Sequence, residues 1–320
     1  MVVARRGRLV AIAAAAAVLL ASCSSSGPSG SGSSGSGSSD SGSVSSSRPG
    51  TPSSSGASSA SRSAASSGTV VRPGPADGHV VVVLLENHSY SDVVGNPSAP
   101  YLNALARRGA SLTDMHAVTH PSEPNYLALF SGSTQGVTDD ACPLQLTGQT
   151  LGGELRRAGL SFVGYSEGLP GGGSSVCNAG SYARKHAPWT DFTSLPASTN
   201  QPLTSFPRDF ARLPTVGFVI PDLEHDMHDG TIGQADTWIR QHLDRYATWA
   251  TAHHSLLVVT WDEDDGSAAN RIPTFVLGAN VPATQVRKHV TLYSVLRTIE
   301  ERYRLPRLGA SASAPTLGLP

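Results

Sequence analysis

The chain has little cysteine, little methionine and few aromatic residues. Three cysteines in 320 residues are too few for a disulfide-knit miniature fold, and no CxxC pair points to a zinc or redox site. Charged residues make up only 15% and the formal net charge is −1. With no basic stripe and no interleaving of aromatic with basic residues, a nucleic-acid partner is not expected. Long apolar runs are also scarce. Leu9 to Ala21 is the longest, and it is too short for a comfortable membrane span.

That run has another reading. Arg5, Arg6 and Arg8 precede it, and Leu20-Ala21-Ser22-Cys23 closes it. Residues 1–22 therefore read as an export signal, with an ending that resembles a bacterial lipobox. Cys23 is the expected lipidation site, which would anchor the chain to the outer face of a membrane. Residues 24–78 are almost wholly Ser, Gly, Ala and Pro. Such a segment buries too little apolar surface to offset its ordering entropy, and it reads as a disordered tether with a reach of roughly 40 Å. With Cys23 lipidated, Cys142 and Cys177 remain. In an exported chain these two are expected to pair, at a gain of about 3 kcal/mol from loop closure.

The remaining stretch of about 230 residues suits one α/β domain over residues 79–309, with 310–320 as a flexible tail. Short runs rich in Val, Ile and Leu alternate with helical patterns, which predicts a mostly parallel sheet covered by helices on both faces. Helices are expected near Tyr101–Arg108, from Pro124, over Leu151–Arg157, over Ile232–Thr251 and over Thr291–Tyr303. Strands are expected at Ser111–Val118, Ser161–Tyr165 and Arg271–Leu277. Asp236 and Arg240 would sit together on the polar face of the fourth helix. Residues 168–214 carry few periodic signals and read as a loop covering a site.

Three of the apolar runs end in acid. Val80–Leu85 runs into Glu86-Asn87, Val216–Ile220 into Asp222, Glu224, Asp226 and Asp229, and Leu256–Trp261 into Asp262-Glu263-Asp264-Asp265. Ligands bind outside the carboxyl ends of strands in open α/β sheets. Carboxylates gathered there repel unless protons or a cation neutralise them, so a divalent metal ion of unspecified identity is expected. Thr119-His120-Pro121-Ser122-Glu123-Pro124-Asn125-Tyr126 places a hydroxyl where a helix begins. Ser122 is either the cap of that helix or a nucleophile beside free backbone N–H groups. The acidic clusters favour the nucleophile, with Thr119 as the second choice. His225 to Gly230 mixes imidazole with carboxylate, and Asp229 doubles as a candidate helix cap. Arg184-Lys185-His186 could bind phosphate.

Together, Glu86-Asn87-His88-Ser89, the segment His120 to Gly132, Asp226-Met227-His228-Asp229-Gly230 and the segment Thr260 to Gly266 resemble the motif blocks of a phosphoesterase family. That family holds bacterial acid phosphatases and phospholipases C, within the alkaline-phosphatase superfamily. Tyr182-Ala183-Arg184-Lys185-His186 and the Cys142/Cys177 pair resemble its secreted acid phosphatases more narrowly. The resemblance implies an alkaline-phosphatase-like fold and a metal ion surrounded by Glu86, Asn87, Ser122, Asp262 and Glu263. It further implies Ser122 as phosphoryl acceptor, with His228 and His120 as catalytic imidazoles. Asn125, Lys185 and His186 would be substrate contacts. The resemblance also implies a histidine, common in close members of that family, where Leu292 stands here, and His289 is out of register with it. The implied substrate is a small or lipid phosphate monoester. Phosphodiester cleavage of the phospholipase C type and a non-catalytic cation- or glycan-binding surface lipoprotein are the alternatives. A sulfatase would need an arginine after Ser122-x-Pro, and Asn125-Tyr126 does not supply one.

Overall fold

The computed structural model describes residues 78–319. The export segment, Cys23 and most of the tether lie outside those residues. In chain order the strands are β1 Val80–Leu85, β2 Ala110–Leu112, β3 Met115–His116, β4 Phe162–Ser166, β5 Asn178–Ala179, β6 Tyr182–Ala183, β7 Asn200–Pro202, β8 Val216–Ile220, β9 Leu256–Trp261, β10 Thr274–Gly278, β11 Thr284–Val286 and β12 Val290–Thr291. The helices are α1 Tyr90–Val93, α2 Pro100–Arg108, α3 Ser122–Ser131, α4 Leu151–Arg157, α5 Ile232–Ala250 and α6 Leu292–Arg302, with short 3-10 turns between.

Eight strands form the central sheet in the order β11-β2-β10-β9-β1-β8-β4-β7. Strands β1, β4, β7, β8 and β9 pair in parallel, and so do β2 and β11. Only β10 runs against its neighbours, β9 on one side and β2 on the other. Its reversal follows from the acidic loop after β9, which returns the chain directly beside that strand with no crossover helix. Every residue of β1, β8, β9 and β10 is buried. Burial along an entire strand requires cover on both faces of the sheet, which explains why these runs do not alternate. Helices α2 and α5 pack on each other and against β10, while α3 packs with α4 and α6.

Several local expectations change. The expected strand Ser111–Val118 splits, since β2 pairs with β10 and β11 whereas β3 joins β12 in a separate two-stranded sheet. The expected strand from Arg271 starts only at Thr274, because Arg271 turns its backbone N–H to Asp264 Oδ2 at 3.2 Å. Helix α5 is capped by Thr231, whose side chain accepts the Gln234 N–H, so Asp229 is not the cap. Asp236 leaves the polar face and caps α2 instead. It is 4% exposed and accepts the N–H groups of Tyr101 at 3.2 Å and Leu102 at 2.7 Å. The sequence reads residues 310–320 as a free tail, yet the chain there is packed. Leu317 is buried, its N–H donates to Thr298 Oγ1 at 2.9 Å, and Ser311 Oγ donates to Glu300 at 2.6 Å. Cys142 and Cys177 form a disulfide across a separation of 35 residues, with Cα atoms 5.9 Å apart. Among the described residues no helix is long and apolar enough to cross a membrane.

Candidate active site

Glu86 is the first residue beyond β1 and is completely buried. Its backbone N–H donates to the Asp226 carbonyl at 2.8 Å, which stitches the loop after β8 to the end of β1. Its two carboxylate oxygens both face α3. Oε2 accepts the Ser122 hydroxyl at 2.9 Å and Oε1 accepts the Tyr126 hydroxyl at 2.5 Å. Residues four apart share one face of a helix, so a single helix places both hydroxyls on one carboxylate. Ser122 Oγ also lies 3.2 Å from Glu263 Oε1. One hydroxyl proton cannot serve two carboxylates at once, and the site holds more acceptors than donors.

Ser122 is not the cap of α3. That position falls to Pro121, and no side chain caps the helix. The hydroxyl is left for the acids. Thr119 Oγ1 donates to the His120 carbonyl at 3.1 Å.

Asp262 follows β9 and is fully buried, with Oδ2 lacking any hydrogen-bond partner. Its Oδ1 accepts the backbone N–H of Asn87 at 3.4 Å. Asn87 reaches it from the left-handed region, φ 52°, a conformation asparagine tolerates better than most residues. Glu86, Asp262 and Glu263 each offer an oxygen within 4.8 Å of the others. Burial, followed by the charge of its neighbours, pushes the Asp262 carboxyl far above the usual carboxylate range. Burial likewise raises Glu86 to about 7 and shifts Glu263 upward. Three carboxylates that resist ionising together, one with an orphaned oxygen, form a donor set suited to a hard divalent cation. His120 braces this group. Its Nδ1 is 2.6 Å from Glu263 Oε2 and its Nε2 is 3.5 Å from Asp264 Oδ1.

A second buried layer lies behind Glu86. His186 is wedged between Glu86 Oε1, 3.0 Å from Nε2, and Asp226 Oδ2, 3.2 Å from Nδ1, and it stacks on Tyr126 with ring centroids 5.0 Å apart. These contacts are close, but Nε2 and Oδ2 are not aligned as hydrogen bonds. Burial lowers His186 to about 4 and raises Asp226 to about 7, in each case disfavouring the charged form. Lys185 is directed elsewhere. Its Nζ donates to Asp140 Oδ2 at 2.8 Å and lies 3.3 Å from His228 Nε2. An ammonium only donates, so Nε2 is the acceptor there, and the Nδ1 proton of His228 goes to Asp229 Oδ1 at 2.7 Å.

The structure thus brings Glu86, Asn87, Ser122, Asp262, Glu263 and His120 into one cluster, with Lys185 and His228 paired beside His186. Two expected substrate contacts stand differently. The Asn125 amide is committed to its own loop: it accepts from Val118 and Thr119 N–H and donates to the Thr119 and Pro121 carbonyls. His186 is an internal wedge at 1% exposure. The sequence alone points to no role for Tyr126 or Asp140, and it places Asp226 only among the acids at the sheet edge. For Tyr126 the four-residue spacing from Ser122 was a usable signal. Leu292 is fully buried, and His289 lies against Asp114, 3.4 Å from its Oδ2, away from this cluster.

A mostly parallel sheet of this kind has counterparts among solved structures. A protein in the alkaline phosphatase superfamily from Vibrio parahaemolyticus superposes with a TM-score of 0.51 at 12% identity, covering 74% of this chain and 70% of that one. A lipoteichoic acid synthase from Listeria monocytogenes gives 0.52 at 10% identity, with 72% of each chain covered. At such low identity the likeness concerns the fold, and the fold is alkaline-phosphatase-like.

The chain belongs to the phosphoesterase family, whose profile matches residues 96–306. It is 49% identical over 246 residues to the phosphatidylinositol-3-phosphatase of Mycobacterium tuberculosis, covering 76% of this chain and 82% of that protein. It is 30% identical over 259 residues to an acid phosphatase of Aspergillus fumigatus, covering 74% of this chain and 57% of that protein.

Proposed function

We propose that the chain is an exported acid phosphatase that hydrolyses phosphate monoesters through Ser122, with a divalent cation held by Glu86, Asp262, Glu263 and, at its edge, Asn87. Bound there, the cation supplies charge neutralisation to a serine alkoxide and to phosphate oxygens. Ser122 Oγ gives its proton to a neighbouring carboxylate and attacks phosphorus, and the bond to the leaving alcohol breaks. The leaving oxygen takes its proton from water, while the Lys185 ammonium, whose proton His228 Nε2 accepts as a hydrogen bond, balances charge on the phosphoryl group. Water then hydrolyses the phosphoserine. His120 keeps Glu263 oriented, and Tyr126 does the same for Glu86.

The observation that carries this reading is the position of Ser122 Oγ, 2.9 Å from Glu86 and 3.2 Å from Glu263 at the buried start of α3. A cation-binding or glycan-binding role would have no use for a hydroxyl held between two acids at a helix start. The relationship to a phosphatidylinositol-3-phosphatase supports phosphoinositide monophosphates among the substrates. Lipidation at Cys23, with the Ser/Gly tether behind it, would hold the domain at the outer face of the membrane.

The test is a substrate panel assayed on the purified chain: p-nitrophenyl phosphate, phosphatidylinositol 3-phosphate and phosphatidylcholine. Release of inorganic phosphate from the first two, lost in Ser122→Ala, is the expected result. Choline phosphate release without monoesterase activity would replace the proposal with a phospholipase C reading.

A further inference from the structure

Asp140 is outside every recognisable motif, yet both ends of its carboxylate are used. Oδ1 accepts the backbone N–H of Glu123 at 2.9 Å, the residue directly after Ser122 in the first turn of α3. Oδ2 accepts the Lys185 ammonium at 2.8 Å. One rigid, planar group therefore spans the start of the nucleophile's helix and the cation paired with His228. Burial pushes the carboxyl up, but the hydrogen bonds from the Glu123 N–H and from Lys185, together with the Lys185 charge, hold it below its usual range.

The chain around Asp140 forms neither helix nor strand. What fixes it lies two residues on, at the Cys142–Cys177 disulfide. At the other end of that bond, the Cys177 carbonyl accepts the N–H of Arg184 at 2.8 Å, the residue before Lys185. The covalent bond and the ion pair thus close one ring, from Asp140 through both cysteines and Arg184 to Lys185 and back. The arm from Cys177 to Lys185 holds only the paired two-residue strands β5 and β6 and a 3-10 turn, and the arm through Asp140 forms neither helix nor strand, so the sulfur bridge is the covalent tie between the two.

We propose that Asp140 is a positioning residue, and that the disulfide works through it to hold the Lys185 ammonium where phosphate binds. The inference rests on the phosphatase reading above. It makes the thiol state a condition for substrate binding: the oxidised chain holds phosphate well and the reduced chain holds it poorly. An enzyme built this way binds its substrate weakly until it meets an oxidising compartment.

The test uses the oxidised full chain, with thermal melts run first to identify folded variants. Asp140→Asn keeps an acceptor for Glu123 but loses the charge facing Lys185. It should raise KM for p-nitrophenyl phosphate about tenfold with kcat within about threefold, and Asp140→Glu should recover part of the loss. Cys142→Ser combined with Cys177→Ser should raise KM similarly. Adding Asp140→Asn to that pair should cost little more, because both changes break the same ring. An unchanged KM in Asp140→Asn, a fall confined to kcat, or fully multiplicative effects would overturn the proposal. Should the cysteine variant not fold, the Asn and Glu variants decide alone. Inorganic phosphate binding by calorimetry separates this idea from the catalytic one. Weaker phosphate binding in Asp140→Asn supports the ring even if the chain turns over no ester, whereas equal binding sinks it whatever the activity.

Discussion

Tyr126 donates its hydroxyl to Glu86 Oε1 at 2.5 Å, while Ser122, one helical turn earlier, holds the other oxygen of the same carboxylate at 2.9 Å. The helix thus fixes the acid from both sides, and Glu86 has no freedom to rotate away from the nucleophile. The stacked His186 ring closes the remaining side. A carboxylate immobilised by three groups is pre-organised both for accepting the serine proton and for binding a cation.

Removing the nucleophile tests the chemistry with little effect on the fold. Ser122→Ala deletes one buried oxygen and relieves an over-supplied acceptor set, so its melting temperature should match or exceed that of the parent. Turnover of p-nitrophenyl phosphate should fall by about three orders of magnitude or more. Normal folding with undiminished turnover would remove Ser122 from the mechanism.

Tyr126→Phe isolates the second hydroxyl. A hydrogen bond to an ionisable group contributes about 1.5–3 kcal/mol, and here it also fixes a metal ligand. The variant should need about tenfold more divalent cation for half-maximal activity, a cost typical of losing a group that orients a ligand. Metal titration of activity at fixed substrate measures this. An unchanged midpoint would mean that Glu86 is held by Ser122 and His186 alone.

Chelation should abolish activity, and a divalent cation should restore it. The metal-free chain should also show an unusual pH dependence of stability. Burial, their leading cause, raises Glu86, Asp191 and Asp226 to about 7 and Glu123 to about 8. Over the interval from their ordinary values up to those limits the folded chain keeps protons that the unfolded chain has released. Stability therefore declines as pH rises through that window. His186, lowered to about 4 from 6.5, and His79, also lowered by burial, act in the opposite sense below pH 6.5, but two imidazoles stand against four carboxyls. The urea midpoint of the metal-free chain should fall from about pH 5 to about pH 8, and Asp191→Asn should flatten the slope. A midpoint that rises across this range would contradict the burial assigned to these acids.

His186→Ala should be among the most damaging substitutions away from the nucleophile. It leaves a cavity against Tyr126 and brings two buried acids face to face with nothing between them. Losses of about 3 kcal/mol or more are typical when one partner leaves a buried polar cluster. Denaturant unfolding gives the value. A variant that unfolds like the parent would show that water replaces the ring at no cost.

Much of this organisation was legible in advance because it depends on neighbours in the chain. Val80–Leu85, Val216–Ile220 and Leu256–Trp261 are continuous apolar runs, and such runs become buried parallel strands whatever follows them. Proline at the third position of Ser122-Glu123-Pro124 marks a helix start. The acids at the strand ends then fall on one edge of the sheet, which is why Glu86, Asp262 and Ser122 were expected together and are together. The errors were also local in origin. Asp229 and Asp236 were placed by helical position alone, and the chain used Thr231 as the cap of α5 and sent Asp236 to cap a different helix.

The sequence by itself determined the class of fold, the acidic edge of the sheet and the serine at the head of α3, since short-range sterics and apolar patterning decide these. Only the tertiary structure decided that His186 is an internal wedge, that Asn125 spends its amide on its own loop, and that Asp140 joins Lys185 to the nucleophile's helix. The placements of His186 and of Lys185 depend on side chains that meet across long stretches of chain, as Asp140 and Lys185 do across 45 residues. Residue type does not encode such meetings, because a histidine or an aspartate is suited to several roles and the distances to its partners select one.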